Sequence, residues 1–275
     1  IALVESIETK MLQAMPEFRP LVERFDIPFV EVPAGTFTMG SLDGEGRSSE
    51  YPQRKIFVDT FWIGWTEVTS SQYQHFIEAK GYTNQTWWTK TGWKWRTSNN
   101  ITQPRFWNTQ WNGSYQPIIG VSWHEATAYT TWLAAETGLS IRLPTEAEWE
   151  KAARGTDARK YPWGDDVPSD HLLNYNRNVG RTVDVGSYPT GASPYGALDM
   201  AGNVQEWTVT KWVSNYENNY VNVIDNDWEG SVERVLRGGI WNQSEIYLRS
   251  AYRTAYAPST RNFYIGFRLV FVPNP

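Results

Sequence analysis

There is no cysteine anywhere in the 275 residues. That absence removes disulfides, thiolate zinc sites, iron–sulfur clusters and cysteine nucleophiles together. It does not fix the compartment, although loop-rich secreted domains are often stapled by disulfides, which tilts the expectation toward the cytoplasm. Histidine is scarce as well: His75, His124 and His171 stand in separate segments and form no triad. Basic residues are not in excess, and a net charge of −5 argues against a nucleic-acid partner, which would need a basic footprint. The short basic stretch with Arg47, Arg54 and Lys55 reads as solvated loop. No apolar run reaches the ~18 residues of a membrane span, and no signal peptide is visible. Beginning at Ile1 rather than Met, the chain reads as a processed product or a piece of something longer.

What is present is aromatic. Sixteen Trp, 15 Tyr and 21 Gly stand in a chain that is 40% hydrophobic. Trp buries a large rigid area and needs a partner for its N–H, so this composition predicts a loop-heavy fold pinned by aromatic anchors. Residues 1–27 carry apolar positions at Leu3, Ile7, Met11, Leu12, Met15, Leu21 and Phe25, a helical spacing interrupted at Pro16 and Pro20. They read as a helical lead-in or linker to one large domain, 28–275. Strands are predicted over 28–41 and 57–65. Helices are predicted over 69–79, over 122–137 with a stop at Gly138, and over 145–154 with a stop at Gly155. Thr145 and Glu148 form a capping box at the start of the last. Residues 81–118 hold six Trp and read as an ordered insertion covering the body. The rest is turns and short strands, so the fold class is α+β.

The C-terminal forty residues differ in texture. Arg234 to Asn242 and Ile265 to Val270 read as framework, a Gly-Gly kink beside Trp241 at one end and an alternating strand at the other. Between them, Ser244 to Tyr264 mixes Tyr, Ser, Thr, Ala, Asn and Phe with no period, the composition of a recognition surface. The rings of Tyr247, Tyr252, Tyr256, Phe263 and Tyr264 offer rigid contact area, and Ser244, Thr254, Ser259 and Asn262 offer adaptable hydrogen bonds. Ile240, Asn242, Ile246 and Ala255 complete the candidate ligand-binding set. The alternative is that these rings are core. Arg237, Arg249 and Arg253 are expected to brace the segment through backbone carbonyls.

Six motifs in order then point to a family: Val32-Pro-Ala-Gly-Thr-Phe-Thr-Met-Gly40, Arg142-Leu-Pro-Thr-Glu-Ala-Glu-Trp-Glu150, Tyr161-Pro-Trp-Gly-Asp165, Tyr195-Gly-Ala-Leu-Asp-Met-Ala-Gly-Asn-Val-Gln-Glu-Trp207, Arg237-Gly-Gly239 and Ile265-Gly-Phe-Arg268. Over roughly residues 28 to 272 the chain resembles the formylglycine-generating-enzyme-like (sulfatase-modifying factor) family, which implies a large variant of the C-type lectin fold. The family's enzyme uses two cysteines and copper; the matching positions here are Glu245 and Ser250, neither a soft copper ligand, so no copper is expected. Iron-dependent sulfoxide synthases of the family take their metal ligands from an added helical domain with several His. The resemblance also implies calcium as a structural cofactor. Its ligands would be Asp199, the carbonyls of Gly202 and Val204, and Glu206, with a second site near Asn174 and the Tyr175 carbonyl. The alternative for the first is a turn held by Glu206.

The C-terminal segment further resembles the variable region of proteins diversified by retroelements, where randomised Asn codons cannot encode Gln, Glu, Lys, Met or Trp. None of those types occurs from Thr254 to Tyr264, while Gln243 and Glu245 would have to be fixed. No GxSxG elbow is present, Glu148 is explained by capping, and Gly35 to Gly40 lacks the Lys of a phosphate loop. The expectation is therefore a non-catalytic ligand-binding protein displaying a diversified surface to a protein or other macromolecule. The alternatives are a cysteine-independent oxidoreductase of the family, with a pocket under the same segment, and a sensor domain with an effector domain upstream.

Overall fold

Three helices begin with the same device. Thr69, Ser122 and Thr145 each accept from the backbone three residues on, and Gln72, Glu125 and Glu148 reach back to close the box. The helices that follow are α3 (Ser70–Glu78), α5 (Trp123–Thr137) and α6 (Glu146–Arg154). Helix α5 ends where Gly138 turns left-handed at φ 73°. In this computed structural model, residues 2–107, 109, 111–217 and 232–273 are described, without the side chains of residues 2–5. Leu3 of the expected apolar stripe and the last two residues of the expected domain therefore lie outside what is described.

The N-terminal segment forms α1 (Ala2–Ala14), a 3-10 turn at Pro16–Phe18 and α2 (Arg19–Phe25). It packs on the body, since Met11, Phe18, Leu21 and Phe25 are all buried. One expected strand divides in two. Residues 57–65 split between β3 (Arg54–Val58) and β4 (Phe61–Gly64), which join different sheets. The burial pattern gives the reason: β3 has exposed and half-buried positions on one side of a hairpin, whereas every residue of β4 is buried.

Strand β3 pairs only with β2 (Gly35–Met39). Strand β4 lies between β1 (Phe29–Val32) and β10 (Val270–Phe271), and β10 also pairs with β5 (Ile141–Arg142), so the two ends of the chain share one antiparallel sheet. The second sheet has the order β8-β7-β6-β9, built from β8 (Thr254–Tyr256), β7 (Arg234–Arg237), β6 (Gln205–Lys211) and β9 (Ile265–Gly266). Its β6–β9 pair is parallel and the others are antiparallel. One apolar core gathers Phe18, Phe25, Tyr73, Phe76, Tyr129, Trp132 and Phe267 around α2, α3 and α5. A second packs Phe37, Met39, Trp149, Met200 and Tyr216 around the hairpin and α6. This mixed architecture is the expected α+β class.

Candidate functional site

The C-terminal segment leaves β7 through Gly238 and Gly239, at φ 102° and 72°. A Cβ on Gly239 would stand 2.7 Å from the Tyr247 carbonyl oxygen, so only glycine lets the chain double back on itself here. The segment forms a 3-10 turn at Glu245–Tyr247 and then β8, the edge strand of its sheet. Tyr252, Thr254 and Tyr256 alternate onto one face, as a strand's period of two requires.

Two groups of aromatic rings line that face. The Tyr247 and Tyr252 rings meet edge-on at 5.4 Å, and the hydroxyls of Tyr256 and Tyr264 lie 3.4 Å apart. Burial holds the Tyr264 phenol at about 12, so it stays protonated through neutral pH. Phe263 packs on Tyr264 at 5.0 Å and reaches Trp241 at 6.2 Å. Of the candidate ligand-binding set, Ser244, Ile246 and Ser259 are exposed, while Asn242, Tyr247, Thr254, Ala255, Tyr256, Asn262, Phe263 and Tyr264 are half-buried. Ile240 and Tyr252 are buried instead. Ile240 sits behind the surface, and Tyr252 contributes a ring face from below.

Residues that the sequence left as cover turn out to build the other half of the face. Trp111 and Phe106, from the Trp-rich insertion, pack on Phe263 at 6.1 and 6.4 Å. Arg105 donates to the Arg261 carbonyl at 3.1 Å, and the Gly120 N–H donates to the Asn262 carbonyl at 3.0 Å. A cavity of about 530 Å³ opens between Trp95, Arg105 and Ser259 to Asn262. Trp241 Nε1, on the ring beside Phe263, is buried without a partner, and so is Gln243 Oε1 two residues on. Among the signals in the sequence, only the density of Trp over 81–118 could have marked the insertion as part of the site.

Arginines anchor the segment from beneath, and not through carbonyls alone. Arg237 donates to the Ser250 and Tyr252 carbonyls and also pairs with Glu150 at 2.7 Å and Glu146 at 2.9 Å. Arg253 pairs with Glu146 at 2.7 Å, and Arg249 forks onto Glu50 at 2.6 and 2.7 Å. Glu146 and Glu150, from the helix whose acids the sequence explained only at Glu148, are thus buried counter-charges of the C-terminal segment. Glu148 does cap its helix, and it also takes a forked pair from Arg142.

The positions matched to catalytic cysteines are not equivalent. Glu245 is exposed on the 3-10 turn, whereas Ser250 is fully buried with its backbone N–H on the Lys160 carbonyl. The residues drawn together for calcium do not fit that ion as placed. Both oxygens of Glu206 are taken, by a fork from Arg268 at 2.6 and 2.7 Å and by the Trp149 indole at 2.8 Å. These donors are side chains, so the alternative of a turn closed on Glu206 by backbone N–H groups does not describe it either. Asp199 accepts the Gly186 N–H at 2.6 Å. At the second site the Tyr175 carbonyl accepts from Asn178 and the Asn174 Nδ2 donates to Asn203, while Asn174 Oδ1, the oxygen that would face a cation, is buried without a partner. Gly202 and Val204 are buried in the turn between them. Among the described residues, no three His, Asp or Glu side chains gather as a metal centre. His75 stacks on Phe25, His124 lies between Trp95 and Trp123, and His171 is exposed.

The order of motifs, the two sheets and the doubled-back C-terminal segment have a counterpart among known families. The sulfatase-modifying factor enzyme 1-like domain matches residues 23–272. The chain belongs to that family. Among proteins of this sulfatase-modifying factor type, the hercynine oxygenase of Mycobacterium tuberculosis is 35% identical over 241 residues, covering 81% of this chain and 55% of that protein. The chain therefore spans about half the length of that relative. The formylglycine-generating enzyme of Thermomonospora curvata is 29% identical and is covered over 98% of its length by 90% of this chain. Treponema denticola variable protein 1 superposes with a TM-score of 0.66 at 23% identity, covering 90% of this chain and 95% of that one, a likeness of fold.

These relatives correct one expectation. The expectation of a non-catalytic protein, drawn from the variable-region resemblance and the lack of a catalytic motif, runs against a relative at 35% identity that is named hercynine oxygenase. Absence of cysteine excludes one chemistry of the fold; it does not exclude catalysis on it.

Proposed function

We propose that the chain is the substrate-binding part of an oxidoreductase of this family that works without a cysteine pair. The observation that carries the reading is a pair of buried, unpartnered polar atoms two residues apart in the C-terminal segment, Trp241 Nε1 beside the Phe263 ring and Gln243 Oε1. A buried polar group without a partner costs about 1–3 kcal/mol. A ligand that accepts from the indole and donates to the amide would satisfy both, while Phe263, Tyr264 and Trp111 exclude water around it. The His residues present do not fit an iron centre, being dispersed, so the role assigned to these residues is binding and orientation.

Hercynine is the first probe, because the relative's name gives it as a substrate there. Calorimetric titration should show saturable binding, weakened about tenfold (~1.4 kcal/mol) by Trp241→Phe or Gln243→Ala. Absence of saturable hercynine binding, or binding that neither substitution weakens, would falsify the reading.

The same face supports a second reading, a diversified surface for a protein or other macromolecular ligand. It is favoured by the contiguous half-buried run Thr254, Ala255, Tyr256, Asn262, Phe263 and Tyr264, which lies in the stretch free of the five types an Asn-codon randomiser cannot write. The gene should then lie beside a reverse transcriptase and a template repeat differing from it only at adenines. A genome without that repeat rules this reading out.

A further inference from the structure

We propose that Arg47 is the anion-recognising residue of the aromatic face, and that the ligand bound there carries a single carboxylate. The inference rests on the binding half of the reading above and is independent of its redox half. Arg47 reads from sequence as part of a solvated basic loop. Its guanidinium instead lies beside two rings of the face, 5.0 Å from the centre of Tyr247 and 5.2 Å from that of Tyr252. The two rings stand at 87° to one another, so the guanidinium lies flat on one of them at most, and a guanidinium flat on a ring keeps its N–H edge for a fork with an oxyanion.

The loop that carries Arg47 is ordered in advance. The Tyr51 hydroxyl accepts from the Gly44 and Gly46 N–H groups at 3.0 and 3.2 Å and donates to the Gly46 carbonyl at 2.6 Å. Glu50 and the Ser49 carbonyl tie the same loop to Arg249 and Arg253 of the C-terminal segment. An arginine held this way loses little freedom when it binds.

Charge decides the class of ligand. The neighbouring guanidiniums are all engaged by carboxylates, Arg249 by Glu50, and Arg253, Arg237 and Arg154 together by Glu146 and Glu150. Among the described residues no carboxylate pairs with Arg47, so the face presents one unmatched positive charge at this end. One such charge suits a carboxylate and leaves a phosphate dianion half-compensated. Away from Arg47, the face carries the second group of rings, Tyr256, Tyr264 and Phe263, and the unpartnered Trp241 Nε1. The ligand is therefore a flat or apolar body bearing one carboxylate.

The test is calorimetric titration of the whole chain with indole-3-acetate, indole-3-acetamide and 3-indoxyl phosphate. The acetate should bind at least tenfold more tightly than the amide, and no less tightly than the phosphate. Arg47→Gln should bring the acetate to the level of the amide, and Arg47→Lys should keep part of the preference, since it retains charge without the fork. Because Arg47 is exposed, both variants should keep the wild-type near-ultraviolet circular dichroism. Equal binding of acetate and amide, a preference that survives Arg47→Gln, tighter binding of the phosphate, or no binding of any probe would each overturn the inference. A carboxylate preference lost in Arg47→Gln, beside failed binding of hercynine, would remove the oxidoreductase reading and leave this one standing.

Discussion

Arg237 lies 2.7 Å from a carboxylate oxygen of Glu150, with neither side chain exposed to solvent. This contact joins the Gly-Gly motif at the root of the C-terminal segment to the helix that begins at the Thr145 capping box. It is one link in a buried chain that runs on through Glu146 to Arg253.

Without Arg237, Glu150 still pairs with Arg154 and Glu146 with Arg253, so what is lost is the bridge between the two carboxylates and the donors to the Ser250 and Tyr252 carbonyls. Arg237→Met should therefore destabilise the fold by about 1.5–3 kcal/mol, read as a lower urea midpoint at unchanged slope. Adding Glu150→Gln should deepen that loss, because it leaves the buried Arg154 guanidinium without its carboxylate. A single variant as stable as wild type would show that the pair contributes nothing.

Glu67 titrates in the opposite sense to a paired carboxylate. It is buried, Oε1 accepts from Asn203 at 3.2 Å, and Oε2 has no partner. Burial raises its pKa well above the ordinary range, and the nearby Asp199 and Glu206 charges raise it further, against Arg268. The neutral form is thus favoured by folding. Its contribution is complete below the unfolded value of about 4.3 and is lost as pH rises through the raised folded value. Glu67→Gln should then raise Tm by several degrees at pH 8 and by little at pH 4, measured by calorimetry. Equal shifts at the two pH values would contradict the assignment.

Phe263 is the hinge between the recognition segment and the Trp-rich insertion. It is half-buried, so Phe263→Ala should cost about 1–2 kcal/mol, below the ~3–5 kcal/mol of a fully buried ring. The larger effect should be local: a red shift of tryptophan emission as Trp111 and Trp241 become wetter, and weaker binding of the indole probes. An unshifted spectrum would show that Phe263 does not hold these rings.

Restoring cysteines should not restore copper. In Glu245→Cys/Ser250→Cys the first thiol would be exposed on a 3-10 turn and the second fully buried. A competition titration against a copper(I) chelator should show the double variant binding no more tightly than wild type. A tight one-to-one complex would mean that the two positions converge after all.

Much of the framework was legible because it depends on neighbours in sequence. The capping boxes at Thr145 and Ser122 and the glycine stop at Gly138 are set within four residues of chain. The split between β3 and β4 was not legible: Phe57 and Phe61 look alike in sequence, and partner strands elsewhere decide which is exposed. The candidate site was legible in half. The irregular text from Ser244 to Tyr264 marked one wall, but nothing local in Phe106 or Trp111 says that they pack on Phe263, and Arg47 in isolation is one more loop arginine.

By itself the sequence determined the family, through six motifs in order, and the absence of a cysteine–copper centre, through composition. Only the tertiary structure decided which charges are spent and which are free. Arg249 pairs with Glu50 and Arg253 shares Glu146 with Arg237, partners far from them along the chain, while Arg47 comes to rest beside two tyrosine rings. Ion pairing falls off with distance in space, not in sequence, so the balance of charge at the site exists only once the chain has folded.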